Sequence, residues 1–232
     1  SIEKVYADAA AKQREAKRQQ KLETLYAEGL QNFKLENWDA AVKIFEEIAE
    51  VQPGYRDVRV RLDEAKRHQL YLEGLQHLEQ QDWPKAIQAF QQALKLDNEF
   101  QEADAKLREA EEQKDLSDLY HEGCKSEKAE EWDDAYEVFR EILKAVPGYR
   151  DVPERLARTS RLRRLAQFRN EADELWSTGR WRAAVDKLDR AVRLSRDCEE
   201  LDRRARRELR SRLKAARKDL KRQEAVYARG MA

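Results

Sequence analysis

LYAEGLQNFKLENWDAAVKIFEEIAEVQPGYRDV, residues 25–58, decides the fold, because its landmarks return three more times down the chain at nearly constant spacing. Trp38, Trp83, Trp132 and Trp181 stand 45, 49 and 49 residues apart. Ala41, Ala86, Ala135 and Ala184 follow each of them by three residues, and Phe45, Phe90, Phe139 and Leu188 come four further on. Gly29, Gly74, Gly123 and Ala172 sit nine residues before the tryptophans. Self-similarity at a fixed period marks a repeat array, in which each copy buries its apolar face mainly against its neighbours. Length then counts copies rather than domains.

With 41% charged residues and a mean hydropathy of −1.01, composition alone fits disorder. The five Trp, eight Tyr and six Phe oppose that reading, since they recur at fixed positions as buried anchors do. Only seven Gly and four Pro interrupt long runs of Glu, Lys, Arg, Gln, Ala and Leu, so the local preference is helical nearly throughout. Cys124 and Cys198 lie 74 residues apart, without the paired spacing of a metal site or disulfide framework, so a reducing compartment is expected. No apolar run approaches the roughly 18 residues of a membrane span, and the N-terminus carries no signal-peptide pattern. A cytoplasmic protein without membrane partners is the expectation.

Within the opening stretch, Leu25, Tyr26, Leu30 and Phe33 recur at helical spacing and define helix A. Asn37 is the predicted cap of helix B, whose apolar face is Ala41, Val42, Ile44, Phe45 and Ile48 and which Pro53 and Gly54 stop. Gly29 omits a side chain where helix B must approach, and Trp38 is expected to fill the wedge at the turn. After Tyr55 the helix resumes, with Asp57 in its first turn where the helix dipole favours an anion. From there to Asp82 the only breaker is Gly74, so this segment and the next helix A should form one rod, about 38 Å for some 25 residues. Each repeat is therefore one long helix and one short one. Asp82 is a predicted N-cap, and Pro84 and Pro153 fall in first turns, where a missing N–H costs little. From Phe100 the long helix should run four residues further than its predecessor, close to one turn, which keeps its apolar face in direction. Pro147 and Tyr149 close the third unit, as Pro53 and Tyr55 close the first. The fourth replaces Gly, Phe and Tyr by Ala172, Leu188 and Cys198, gains Gly179 before its Trp, and should end in a single helix over 197–229, about 50 Å long.

The predicted organisation is a tail helix of a preceding repeat over 1–24, repeats at 25–69, 70–118, 119–167 and 168–198, and a long basic helix over 199–232. Tyr6, overlaid on Tyr55, makes the opening segment the end of an earlier copy. VYARG at 226–230 resembles LYAEG, so the chain reads as a piece of a longer array.

The set Gly29, Trp38, Ala41, Phe45 and Pro53 resembles the small, aromatic, Ala, aromatic and Pro positions of the tetratricopeptide repeat, and it returns in four copies over about residues 22–198. A long helical extension lengthens the period from the family's usual 34 to 45–49. Asn32, His77 and Ser126 stand where the family has a bulky apolar residue, with Phe33 and Leu78 one position later. The resemblance implies an all-α, right-handed α-solenoid of helical hairpins, a scaffold that binds peptides or proteins, often inside larger bacterial signalling or defence proteins.

In such repeats ligand contacts come from the face of helix A that holds Tyr26, Leu30 and Phe33, then Tyr71, Leu75 and Leu78, then Tyr120 and Cys124. Three Tyr in register would form an apolar ladder for a partner; the competing reading is that they pack between repeats. Charge is the second signal. Residues 1–149 hold 22 Lys plus Arg against 33 Asp plus Glu, a net of −11, while 150–232 hold 25 against 14, a net of +11. Arg203, Arg204, Arg206, Arg207, Arg210, Arg212, Lys214, Arg217, Lys218, Lys221 and Arg222 crowd one predicted helix with only Glu208 and Asp219 among them. This stripe suits nucleic-acid phosphates, an acidic protein, the acidic half of another copy, or plain solvation. With no aromatic between Trp181 and Tyr227, base stacking is not expected of it. Leu209, Leu213, Ala216, Leu220, Gln223 and Tyr227 alternate by four and three, a seam either for self-association or for packing on the last repeats. His68, His77 and His121 lie at no metal-binding or nucleophile-activating spacing, and no Gly-rich phosphate loop occurs, so neither catalysis nor a cofactor is expected. The sequence thus points to a protein-interaction scaffold within a longer polypeptide, binding through the concave face of its long helices. An oligomerisation or spacer element stacking by charge is the alternative, and nonspecific nucleic-acid binding by the basic helix comes third.

Overall fold

The apolar spacing of 25–58 folds into a long helix, a tight turn and a short helix, and this hairpin recurs along the chain. A computed structural model describes residues 2–199, 201 and 203–230, the side chains of 2–7, 227 and 230 excepted. Among the described residues there are nine helices and no strand: α1 (Ile2–Lys34), α2 (Trp38–Val51), α3 (Val58–Glu79), α4 (Trp83–Leu96), α5 (Gln101–Lys128), α6 (Trp132–Ala145), α7 (Val152–Ser177), α8 (Trp181–Asp197) and α9 (Arg203–Gly230). The register expectation for Tyr6 and the fifth helix A proposed from 226–230 rest on side chains outside the described set. The chain divides into two units, Ser1–Asp115 and Leu116–Ala232.

In the first unit the core is built where helix B meets helix A. Phe45 and Phe90 are fully buried, and their rings lie over the bare backbone of Gly29 and Gly74. A Cβ added at Gly29 would stand 2.6 Å from Phe45 Cε1, and one at Gly74 would stand 2.4 Å from Phe90 Cε1. The missing side chain is thus the condition for the close approach. Leu22, Tyr26, Ala41, Ile48, Tyr55 and Val58 complete the first cluster, and Ala86, Ala93, Phe100, Ala103 and Ala110 the second. In the second unit Phe139 covers Gly123 in the same way, 2.6 Å from a Cβ there. Where Leu188 replaces the ring, Ala172 replaces the glycine, and both are buried in one cluster with Leu165, Ala191 and Val192. Small and large change together, so the volume at the crossing is kept.

Every turn from helix A to helix B has one construction. Glu36 N–H donates to Phe33 O and Asn37 N–H to Asn32 O, and the same pair of bonds closes α3 at Gln81 and Asp82, α5 at Glu130 and Glu131, and α7 at Gly179 and Arg180. This is a Schellman closure, which needs a left-handed residue just past the helix. Glu36, Gln81, Glu130 and Gly179 accordingly have φ of 58°, 58°, 60° and 77°. Asn37 sits at the N-cap of α2 without a side-chain cap bond, whereas Asp82 accepts from Lys85 N–H at 3.4 Å. Asp57 occupies the N-cap position of α3 rather than its first turn.

Two expected spans change. The helix from Phe100 begins at once, at Gln101, whereas Tyr55 and Tyr149 are each followed by a left-handed Arg56 or Arg150, with φ of 45° and 46°, that delays the next helix to Val58 and Val152. α5 therefore gains residues at its start as well as from the longer period. The single helix over 197–229 is also corrected. α8 ends at Asp197, Cys198 is buried, Leu201 N–H donates to Cys198 O, and α9 starts at Arg203. Cys198 serves as the small counterpart of Tyr55 and Tyr149, whose carbonyls accept from Val58 and Val152 in the same way. Of the two uses open to the α9 seam, packing on the fourth hairpin is the one observed: Leu209, Leu213 and Ala216 are buried with Ala172, Leu188 and Val192; the side chain of Tyr227 lies outside the described set.

Gly123→Ala should lower stability by about 1–3 kcal/mol through overpacking on Phe139, and Gly123→Ala with Phe139→Leu should recover much of the loss by copying the Ala172 and Leu188 pair. Glu130→Gly should raise stability by about 1 kcal/mol by relieving the left-handed backbone. Urea titrations followed by circular dichroism check all three.

Candidate functional site

The residues expected to form a partner-binding ladder are drawn into the hairpins. Tyr26 is buried, with its ring 5.8 Å from Tyr55 and 6.4 Å from Phe45; Leu30 and Phe33 pack on the same cluster. Tyr71, Leu75 and Leu78 pack on the second cluster, Tyr71 at 5.9 Å from Phe90 and 5.2 Å from Phe100. Tyr120 and Cys124 pack on the cluster of Phe139 and Val152. In the turns that follow, the carbonyls of Asn32, His77 and Ser126 accept the closing bonds, as that of Leu175 does in the fourth hairpin, and Phe33 and Leu78, one position after Asn32 and His77, pack inward.

The Tyr hydroxyls have a further use. Tyr26 Oη donates to Asp57 Oδ1, and Tyr120 Oη donates to Asp151 Oδ1 at 2.7 Å. Arg61 Nε donates to Asp57 Oδ2 at 3.1 Å, and Arg155 Nε to Asp151 Oδ2 at 2.9 Å. The Arg56 guanidinium lies 4.7 Å from the Tyr26 ring centroid and 5.3 Å from Tyr55; Arg150 lies 4.9 Å from Tyr120 and 5.1 Å from Tyr149. A side chain there gives a cation–π contact worth about 0.5–1 kcal/mol, which offsets its left-handed backbone and explains Arg in place of Gly. The two clusters differ at one point: Arg61 covers the Phe33 ring at 5.4 Å, while Arg155 donates to Glu127 at 2.5 Å. The hydrogen bond from Tyr120 holds Asp151 below the usual carboxylate range, as that from Tyr26 does for Asp57, with the arginines adding to it. Conversely the Asp151 carboxylate, reinforced by burial, pushes the Tyr120 phenol up to about 12. Both clusters stabilise the hairpin. The signal for them was the pentapeptide GYRDV, which occurs at 54–58 and again at 148–152.

The tryptophans mark the open surface. Trp38 is half-buried, edge-on to Phe33 at 5.2 Å and stacked on His68 at 4.5 Å with 15° between planes. Burial, helped by the neighbouring Arg67 guanidinium, pushes the His68 pKa down. In front of Trp38 a cleft of about 530 Å³ is lined by Asp39, Gln69, Leu72, Glu73 and Gln76 among others, and Leu72 is 43% exposed. A second cleft of about 510 Å³ lies before Trp181, lined by Gly179, Arg180, Arg182, Leu220 and Glu224. Each is the space between the first turn of a helix B and the following long helix, and each is strapped by the residue after the Trp. Gln69 donates to Asp39 at 2.6 Å, and Arg182 pairs with Glu224 at 2.8 Å. Trp83 and Trp132 are also half-buried, and at the third repeat Arg163 reaches Asp133 at 2.5 Å. Spacing alone did not single out Leu72, Gln69 or Glu224, and it put Leu220 in the α9 seam rather than at a cleft.

On α9 the basic residues are dispersed. Arg206 and Arg212 are half-buried, Arg206 donating to Cys198 O at 2.5 Å and Arg212 pairing with Asp173. Arg217 pairs with Asp189 at 2.8 Å and Arg222 with Asp219 at 3.6 Å, while Arg203, Arg204, Arg207, Arg210, Lys214, Lys218 and Lys221 are exposed. His77 lies 3.7 Å from Glu73, His121 meets Ser117 O at 2.6 Å, and the described residues hold no group of three His, Cys, Asp or Glu able to bind a metal. No helix among them is long and apolar enough to cross a membrane.

Residues 68–100, from His68 through α4 to Phe100, match the tetratricopeptide repeat family. That segment is a tetratricopeptide repeat. The same anchors organise the other three tetratricopeptide-like hairpins outside the matched segment. No curated protein matches the chain. Tetratricopeptide repeats mediate protein–protein interaction, and folds of this kind typically serve as non-enzymatic scaffolds.

Tyr120→Phe should cost about 1 kcal/mol at neutral pH, a figure kept low because Asp151 is half exposed. A carboxylate with a lowered folded-state pKa contributes stability above its unfolded value near 3.9, and loses it as pH falls through the folded value. The gap between wild type and variant should therefore narrow in acid. It should narrow again from about pH 10 upward, because the raised Tyr120 loses its contribution as pH approaches about 12. Urea midpoints measured across pH check both limbs.

Proposed function

We propose that this chain is a protein-interaction scaffold that holds a peptide or protein segment against its long helices, at the clefts in front of Trp38 and Trp181. The observation that carries the reading is the repetition of one cleft design. A half-buried indole and an aliphatic side chain, Leu72 or Leu220, make an apolar floor, and Asp39 with Gln69, or Arg182 with Glu224, supplies a polar rim. Such a floor suits one apolar anchor side chain of a partner, and such a rim supplies hydrogen bonds to its backbone. The Tyr26, Tyr71 and Tyr120 faces contribute by fixing the long helices rather than by touching the partner. The family supports the role of scaffold, and the clefts support this location for it.

A displayed peptide library selected on the full chain tests this. Selected peptides should lose at least tenfold in affinity with Leu72→Glu or Leu220→Glu, whose melting curves should match wild type because both side chains line open clefts. Peptides that bind both variants as tightly as wild type would overturn the assignment of the clefts.

A further inference from the structure

Helix α9 buries Leu209, Leu213 and Ala216 against the fourth hairpin, which turns its opposite side to solvent. At about 100° per residue, Arg203, Arg207, Arg210, Lys214, Lys218 and Lys221 fall on that side in steps of four and three, and all six are exposed. Ser211 and Ala215 lie beside this row, and with Lys214, Arg217, Lys218 and Lys221 they line an open groove of about 490 Å³. The surface is therefore one of cations separated by small side chains.

Several nearby cations are matched. Arg163 pairs with Asp133, Lys187 with Glu171, Arg190 with Asp186 and Arg193 with Asp189. On α9 itself the cations at the flanks of the row, Arg212 and Arg217, reach Asp173 and Asp189. Among the described residues, Arg210, Lys214, Lys218 and Lys221 have no carboxylate within ion-pair distance. The six exposed cations thus lie along a line of 19 residues, about 27 Å long.

We propose that this face of α9 binds the phosphate backbone of double-stranded nucleic acid without reading its sequence. Cations strung along a line, rather than converging on a point, suit a linear polyanion more than a small anion. Duplex nucleic acid presents one charge per roughly 1.7 Å of axis, and each neutralised phosphate releases counterions. A protein partner fits less well, because a stable interface needs an apolar or aromatic centre and this face has only Ser and Ala between its charges. A single strand fits less well too, since the face offers no aromatic ring on which bases could stack. Small side chains between the cations let the helix approach the backbone closely.

Fluorescence anisotropy of the full chain, with two labelled DNA duplexes of roughly 20 base pairs and unrelated sequence, tests the proposal. Both should bind with similar affinity, and log K should fall linearly with log salt, with a slope of about −4 to −5 for some five phosphates. Arg210→Glu, Lys214→Glu and Lys218→Glu together should weaken binding at least tenfold with an unchanged melting curve, whereas Lys125→Glu with Lys144→Glu should leave affinity within twofold. Three outcomes would overturn the proposal: affinity flat with salt, full binding by the triple variant, or tighter binding of an oligothymidine strand than of the duplexes. Absence of duplex binding at about 50 mM salt, with a dimer in light scattering that the triple variant breaks, would overturn it as well and give the stripe to a second copy.

Discussion

The fold depends on an aromatic ring laid over a stretch of helix that has no side chain. Phe45, Phe90 and Phe139 each rest on a glycine of the preceding long helix at a distance no Cβ would allow. That contact sets how close the two helices lie, and the spacing between them then decides what every other landmark can do. Tyr26 and Tyr71 pack against the same rings from one side, and Trp38 closes the hairpin from the other through Phe33. The fourth hairpin obeys the same constraint with Ala172 under Leu188. A crossing of fixed volume, not a particular residue, is what recurs.

The turns follow from the same requirement. Two helices held so close can be joined by a short link, and the Schellman closure provides one at the expense of a left-handed residue. Glu36, Gln81 and Glu130 accept that conformation without being glycine. At the opposite ends of the hairpins, Arg56 and Arg150 also do so, and there the side chain earns a place by covering two Tyr rings. Charge in this chain is therefore partly internal. It ties Tyr, Asp and Arg into clusters that lock the start of one long helix onto the long helix before it.

The repeat, its anchors and the pairing of long with short helices were legible because they depend on residues at fixed separation on one helix or across one hairpin. The Tyr26–Asp57 and Tyr120–Asp151 bonds were less so, since they join residues 31 apart that meet only after the hairpin has closed. GYRDV, present twice, was the available clue. The polar residues Asn32, His77 and Ser126 looked out of place when judged by their side chains; what the turn uses is the backbone carbonyl, which Leu175 supplies equally well in the fourth hairpin. The break before α9 was hidden because Cys198 fills a position elsewhere marked by Tyr or Phe, and no Gly or Pro announces it. The clefts were illegible for another reason: Leu72 looks like an unremarkable helix residue, and Leu220 like one more member of the α9 seam, until a neighbouring helix start leaves room beside them.

The buried apolar residues form four separate clusters, each centred on one hairpin and the start of the helix after it. A molecule partitioned in this way does not have a single stability. Its free energy is a sum over hairpins and the junctions between them, so opening one hairpin leaves the others folded when the junction energies are small. Denaturation becomes a sequence of local events, with each region carrying its own lifetime against proteases and solvent exchange.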